Sequence, residues 1–331
     1  MVSPEHNRRA TSVAALVFSL LATVGLVDGQ TSGGQLHDAP LRIAITFDDL
    51  PAHGPLPPGE ARLEVASKII AALHDANVPP TYGFVNGVRI EEQPADADVL
   101  QAWRAAGYPL GNHSWSHMNL NQHTLGEFEA DVTHNEPLLS QWMKDQNDDK
   151  AGEVQKNDWH WFRFPYLAEG DTPEKNAGIR AFLAQRGYKS AAVTMSFADY
   201  QWNDPYARCK AKGDEKSITS LENSYLAAAD ESITYSRALS HTLYGRDISY
   251  VLLMHIGAFD AEMLPRLLSL YRSEVFRFVS LDEAESDEFY LRDTDLHQPP
   301  GPSTLEGVMA ERHLPFPPHT TPGPPLDTLC R

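Results

Sequence analysis

The chain has few cysteines, a deficit of positive charge and no long apolar run beyond its first thirty residues. Two cysteines in 331 residues, Cys209 and Cys330, allow one intramolecular bridge but no disulfide framework. The sequence leaves their pairing open, and neither stands in a catalytic pattern. Lys and Arg together number 27 against 45 Asp and Glu, a formal charge of −18. That balance excludes the basic footprint a nucleic-acid binder needs, and it works against adhesion to an anionic membrane surface. Past residue 30, no segment reaches the roughly 20 apolar residues of a spanning helix. No repeat at solenoid spacing occurs either. The hydrophobic content is 42%, enough for a sizeable core.

The first thirty residues differ from the rest. Arg8 and Arg9 lead an apolar run from Val13 to Val27, which turns polar at Asp28-Gly29-Gln30. A basic start, a short apolar centre and a small residue at Gly29 read as a secretory signal peptide over residues 1–29. The alternative is an uncleaved anchor, for which this run is short. Cleavage would remove two Arg, one Glu and one Asp and leave the charge at −18. The expectation is a secreted or periplasmic protein with no membrane insertion after cleavage. The main domain is placed at 30–290, followed by a proline-rich tail over 291–331. Pro299, Pro300, Pro302, Pro315, Pro317, Pro318, Pro322, Pro324 and Pro325 predict a tail without regular helix or strand, extended over the surface or disordered.

Between these ends, short β-like runs alternate with helical patterns. The strand candidates are Leu41–Phe47, Thr81–Val85, Tyr108–Gly111, His160–Phe164, Lys189–Thr194, Ser249–Met254 and Phe276–Val279. The helical stretches are Ala61–Asn77, Ala97–Ala106, Leu125–Lys144, Pro173–Gly187, Asn223–Tyr244 and Asp260–Arg272. Pro137 and Pro265 should kink or break two of them. Lys144–Asp158 and Arg208–Glu222 read as surface insertions. Seven strands alternating with helices imply an α/β fold with parallel pairing and right-handed crossovers. A closed or nearly closed barrel suits the count better than an open doubly wound sheet.

Polar groups gather where the strands end. The first strand delivers Asp48-Asp49, two adjacent carboxylates that are costly at a buried strand end without a cation or a metal. A helix cap or turn would account for one of them, less readily for both. After the third strand come His113 and His117, four apart, a spacing that sets both imidazoles on one face of a helical turn and lets them reach one ion. The fourth strand ends in Arg163-Phe164-Pro165-Tyr166, where the arginine can pair with one aspartate. His255 follows the sixth strand, and Asp199 and Trp202 follow the fifth. Carboxyl ends of strands are where β/α barrels assemble their active sites.

These segments resemble the five ordered motifs of the polysaccharide deacetylase (NodB-homology) family, the fourth family of carbohydrate esterases. The matching residues are Thr46 through Asp49, His113 through His117, Arg163 through Tyr166, Asp199 through Trp202, and Leu253 through His255. The resemblance spans about Leu41 to Leu281. It implies a distorted (β/α)7 barrel of parallel strands and a role for each matching residue. Asp49, His113 and His117 would hold a divalent metal, zinc first, with cobalt, nickel or manganese as alternatives. Asp48 would be the general base with Arg163 as its ion-pair partner. His255 would be the general acid, oriented by Asp199, and a backbone N–H near Tyr166 would help hold the oxyanion. The implied reaction is hydrolysis of N-acetyl groups from a carbohydrate such as peptidoglycan, a chitin-like oligomer or an exopolysaccharide.

Three positions depart from the family's common pattern. Leu50 and Leu167 stand where glycine is usual, which should put bulk at the rim of the site. Ser196 stands where a second Asp is often found, so the group supporting His255 is open. Competing expectations are an O-acetyl esterase, a catalytically inactive wall- or carbohydrate-binding protein, and a non-haem iron oxygenase built on one Asp and two His. Trp202 is the one tryptophan singled out as a candidate for stacking on a sugar.

Overall fold

A computed structural model describes residues 40–144, 158–320 and 326–331. The signal-peptide reading, the start of the 30–290 domain and nearly all of the first insertion lie outside the described residues. Residues Pro40–Arg331 make one unit.

Each of the seven strand candidates holds a strand: β1 (Leu41–Leu50), β2 (Gly83–Val85), β3 (Leu110–Asn112), β4 (Trp161–Phe162), β5 (Lys189–Ser190), β6 (Ser249–His255) and β7 (Phe276–Phe278). All pair in parallel, in the order β5-β4-β3-β2-β1-β6. The longest, β1, is the hub. One edge runs along β6 from Arg42↔Ser249 to Asp48↔His255. The other meets β7 at Leu41–Ile43 and β2 at Phe47 and Leu50. Past β5 the chain swings back to β6, where Thr194 and Met195 N–H donate to Val251 O and Leu253 N–H donates to Met195 O, each at 3.1 Å. That single bridge spans the last gap, so the sheet curls into the distorted barrel expected.

Side-chain size explains the closure. The barrel interior sets the small Ala44, Ala191 and Ala192 against Phe84, Trp161 and Tyr290, so large and small groups interdigitate. Outside, Ile43, Ile45 and Phe47 of β1 join one apolar cluster with Val65, Ile69 and Leu73 of α1 (Arg62–Asp75). Short helices α2 (Val88–Glu92) and α3 (Ala97–Ala105) precede β3, and α4 (Leu125–Met143) follows it behind a Thr124–Glu127 capping box. The remaining helices are α5 (Pro173–Gln185), α6 (Asn203–Lys212), α7 (Glu215–Tyr244), α8 (Ala258–Ser273), α9 (Leu281–Ala284), α10 (Leu291–Thr294) and α11 (Leu305–Glu311).

Four expectations need correction. Arg208–Glu222 is no surface insertion: it is the end of α6 and the start of α7, burying Cys209, Ile218 and Leu221. Of the kink or break expected at Pro137 and Pro265, the break does not occur: α4 and α8 run through them with one backbone donor fewer each. The tail is not devoid of helix, because α11 fits between its prolines and buries Leu305 and Met309. Leu50 is not at a rim but fully buried in the core. The cysteines pair: Cys209 on α6 bridges Cys330 near the chain end.

Candidate functional site

Successive side chains on a strand point to opposite faces, yet Asp48 and Asp49 approach the same nitrogen, His113 Nε2, at 3.7 and 3.5 Å. The left-handed backbone of Asp49 (φ 64°) breaks the alternation and turns both carboxylates toward the barrel mouth. Asp48 is 3% exposed. Its Oδ1 accepts from Arg163 Nη1 at 3.0 Å. Arg163, wholly buried, also donates from Nε to Ala191 O at 2.7 Å and from Nη2 to Thr46 Oγ1 at 3.1 Å. The Phe84 ring lies 4.8 Å from its guanidinium. A buried ion pair persists only when its remaining donors are met, and here the barrel backbone meets them. Oδ2 of Asp48 is left facing the histidines.

His113 and His117 converge without a helix. Residues 113–117 form a loop, with Ser114 at φ 61° and His117 at φ 57°. Asparagines hold it: Asn86 Nδ2 donates to His113 O (2.6 Å) and Ser114 O (3.1 Å), and Asn112 Oδ1 accepts from Ser114 N–H (2.9 Å). Left-handed loop residues, not the face of a helical turn, therefore bring the two imidazoles together. His113 Nδ1 donates to Arg163 O at 2.7 Å, which orients the ring and turns Nε2 toward the two aspartates. His117 Nε2 lies 3.3 Å from Asp49 Oδ1. Burial first, then the neighbouring His113, pulls His117 down to about 4, so it stays neutral and able to ligate. Burial alone would raise the Asp49 carboxyl; His113 and His53 outweigh it and hold it well below the ordinary range.

Two of these atoms, Asp49 Oδ1 and His113 Nε2, are buried with no hydrogen-bond partner. Such orphans call for an explanation, and an ion is one. Together with His117 they offer one carboxylate oxygen and two imidazole nitrogens within 4.8 Å of one another. That donor set suits zinc and its divalent neighbours with positions left open. The residues fit the metal that the sequence implied.

Opposite, Asp199 opens a 3-10 turn (Asp199–Trp202) entered through a left-handed Ala198. Its two oxygens accept from His255, Oδ1 from Nδ1 at 2.9 Å and Oδ2 from the backbone N–H at 2.7 Å. The ring is thereby oriented and Nε2 is its free nitrogen. Burial works to lower His255, but the charge and hydrogen bond of Asp199 override it and push it up to about 10. Asp199 is thus the group supporting His255. Behind it, buried Asp260 takes hydrogen bonds from Asn203 Nδ2 (2.7 Å) and Tyr225 OH (2.9 Å).

The structure brings together Asp48, Asp49, His113, His117, Arg163, Asp199 and His255. Tyr166 stands at the rim, 66% exposed, its ring 4.4 Å from that of His117. Trp202 does not belong there: it is buried against Phe197 and Tyr225, and its Nε1 donates to Ser224 Oγ at 2.9 Å. A buried, hydrogen-bonded indole cannot stack on a sugar. Sequence reasoning missed His53, whose Nδ1 lies 2.7 Å from Asp49 Oδ2. Its spacing of four from Asp49 was the available signal.

These features define an α/β barrel with a His/Asp site of metal-binding geometry at the carboxyl ends of its strands. Over residues 38–190 the sequence matches the family "Polysaccharide deacetylase". That span includes Asp48, Asp49, His113, His117 and Arg163, and ends before Asp199 and His255. The comparison with curated proteins finds no match. Among solved structures, a family 4 carbohydrate esterase from Streptomyces lividans in complex with acetate is similar at 17% identity, covering 75% of this chain and 96% of that one, with a TM-score of 0.45. The peptidoglycan deacetylase PdaC from Bacillus subtilis is similar at 16% identity over 75% and 91%, TM-score 0.46. A CE4 family pseudoenzyme from Bacillus anthracis is similar at 13% identity over 75% and 66%, TM-score 0.49.

Proposed function

We propose that this protein is a metal-dependent hydrolase that removes N-acetyl groups from a carbohydrate. The observation carrying the reading is the pair of orphaned buried atoms, Asp49 Oδ1 and His113 Nε2, aimed at His117 Nε2. Asp49, His113 and His117 would hold the ion, zinc first, with cobalt, nickel or manganese as alternatives. When bound, it supplies Lewis-acid polarisation of the acetyl carbonyl and a lowered pKa for water.

The protein's own groups do the rest. Arg163 occupies Oδ1 of Asp48, which leaves Oδ2 to take the proton of the attacking water. Asp199 holds His255 protonated and aimed, and Nε2 delivers a proton to the departing sugar nitrogen. The Tyr166 backbone N–H supports the developing oxyanion. Peptidoglycan, a chitin-like oligomer or an exopolysaccharide would each present such an amide. A binding-only protein would not need Asp48–Arg163 and His255–Asp199 both assembled, which favours catalysis. Export to an oxidising compartment is part of the proposal, supported by the basic-then-apolar start of the chain and by the Cys209–Cys330 bridge.

Acetate release from N-acetylglucosamine oligomers, peptidoglycan and O-acetylated xylan, by metal-stripped and zinc-restored protein, tests the reading. Acetate from an amide substrate that requires the metal supports it. Release from xylan alone would make the protein an ester hydrolase, and no release from any of them despite bound zinc would favour a binding role.

A further inference from the structure

Asp49 is the one carboxylate of the candidate metal set, and a carboxylate at a strand end can rotate. Its Oδ1 must face His113 and His117 for the three ligand atoms to converge. The left-handed backbone at Asp49 aims the side chain but does not fix the rotation of its terminal group. The other oxygen, Oδ2, lies 2.7 Å from Nδ1 of His53, and because a carboxylate only accepts, Nδ1 carries the hydrogen.

His53 is itself held on both sides. A turn closed by Ala52 N–H to Asp49 O (2.9 Å) brings it back over Asp49. Arg62, at the start of α1, donates to His53 O at 2.7 Å and to Gly54 O at 2.5 Å, tying the loop to the helix. Gly54 adopts φ +62° and packs so close to Asn203 that a Cβ there would lie 3.2 Å from the Asn203 Cβ. The imidazole also contacts the opposite half of the site, with ring centroids 4.7 Å from His255 and 6.1 Å from Tyr200.

We propose that His53 is a positioning residue for the metal site, locking the Asp49 carboxylate through Oδ2 so that Oδ1 stays aimed between His113 and His117. The inference rests on the metal reading given above and adds to it a residue outside the five motifs. Partners of ligating groups commonly change metal affinity by about 10- to 100-fold when removed. His53 also offers a nitrogen to a second possible donor group with Asp49 and His255, so the test must separate a positioning residue from a ligand.

Zinc affinity and stoichiometry of the full chain are measured by competition with a chromophoric chelator, with thermal unfolding followed in parallel. His53→Phe keeps a ring against His255 and Tyr200 but removes the donor. His53→Asn sets an amide N–H near the place of Nδ1. The expected result is one zinc per chain throughout, affinity about 10- to 100-fold weaker in H53F, recovery in H53N, and a metal-free Tm close to wild type in both. H53F binding zinc as tightly as wild type would overturn the inference while leaving the metal reading intact, provided His117→Ala loses zinc. Two zinc ions in wild type and one in H53F would make His53 a ligand and overturn it as well. A wild-type chain that takes up no zinc would overturn both readings together.

Discussion

Arg163 is a full guanidinium with no exposure, and its charge is tolerable because Asp48 lies 3.0 Å away. Removing one partner of such a pair leaves the other buried and uncompensated, which costs about 3–5 kcal/mol. Arg163→Met is therefore expected to lose stability on that scale in urea unfolding; a loss under 1 kcal/mol would contradict it. A second buried acid sits outside the site. Asp293 is pushed up to about 8 by burial and then by the charge of Glu169. Between about pH 4 and 8 the folded chain keeps a proton that the unfolded chain, with an Asp pKa of about 3.9, has released. Stability should fall as pH rises through that window, with a limiting slope near ~1.4 kcal/mol per unit for one proton. Asp293→Asn should flatten the profile; an unchanged slope would contradict the assignment. At this scale the sequence was legible for groups with a motif around them. Trp202 was misplaced and His53 overlooked because burial and rotation of a side chain leave no mark in residue order.

The elements that carry the site are short strands, and their spacing is set by what stands between them. A Cβ on Gly111 of β3 would lie 2.5 Å from Phe84 Cε1 on β2 and 2.9 Å from the Trp161 carbonyl on β4. The backbone oxygen cannot yield without moving β4. Gly111→Ala should cost about 1–3 kcal/mol and, by displacing the His113 loop, weaken zinc binding; unaltered Tm and affinity would refute it. All seven strands were readable as short apolar runs, and β1 and β6 most plainly, being buried almost throughout. The 208–222 stretch was not, because its charged residues outnumber the few that face inward. Cys209, Ile218 and Leu221 are enough to seat it. The 113–117 loop was misread as a helical turn because left-handed residues at Ser114 and His117 achieve the convergence that spacing suggested.

Over the whole molecule the barrel gathers side chains from five strand ends, and the tail fastens its outside. Arg208 on α6 donates to Leu329 O and Leu326 O, both at 3.1 Å, beside the disulfide. The bridge spans 121 residues. Closing so long a loop restricts the unfolded chain, and bridges of this kind typically contribute about 2–4 kcal/mol. Cys330→Ser should lose that much in denaturant unfolding with little change in zinc affinity, because neither cysteine belongs to the proposed ligand set. The seven-stranded barrel and its mouth were legible from the alternation of elements. The anchoring of the tail was not, since its prolines mask α11 and two thiols cannot announce that they meet.

The central proposal is a division of labour between neighbours at the end of β1, in which Asp49 would ligate the metal and Asp48 would accept a proton. It is tested most directly by Asp48→Asn, with zinc content and acetate release measured on the same preparation. The account predicts zinc bound as in wild type and acetate release lost by a factor of about 100 or more. Near-wild-type release, or loss of zinc together with activity, would contradict it.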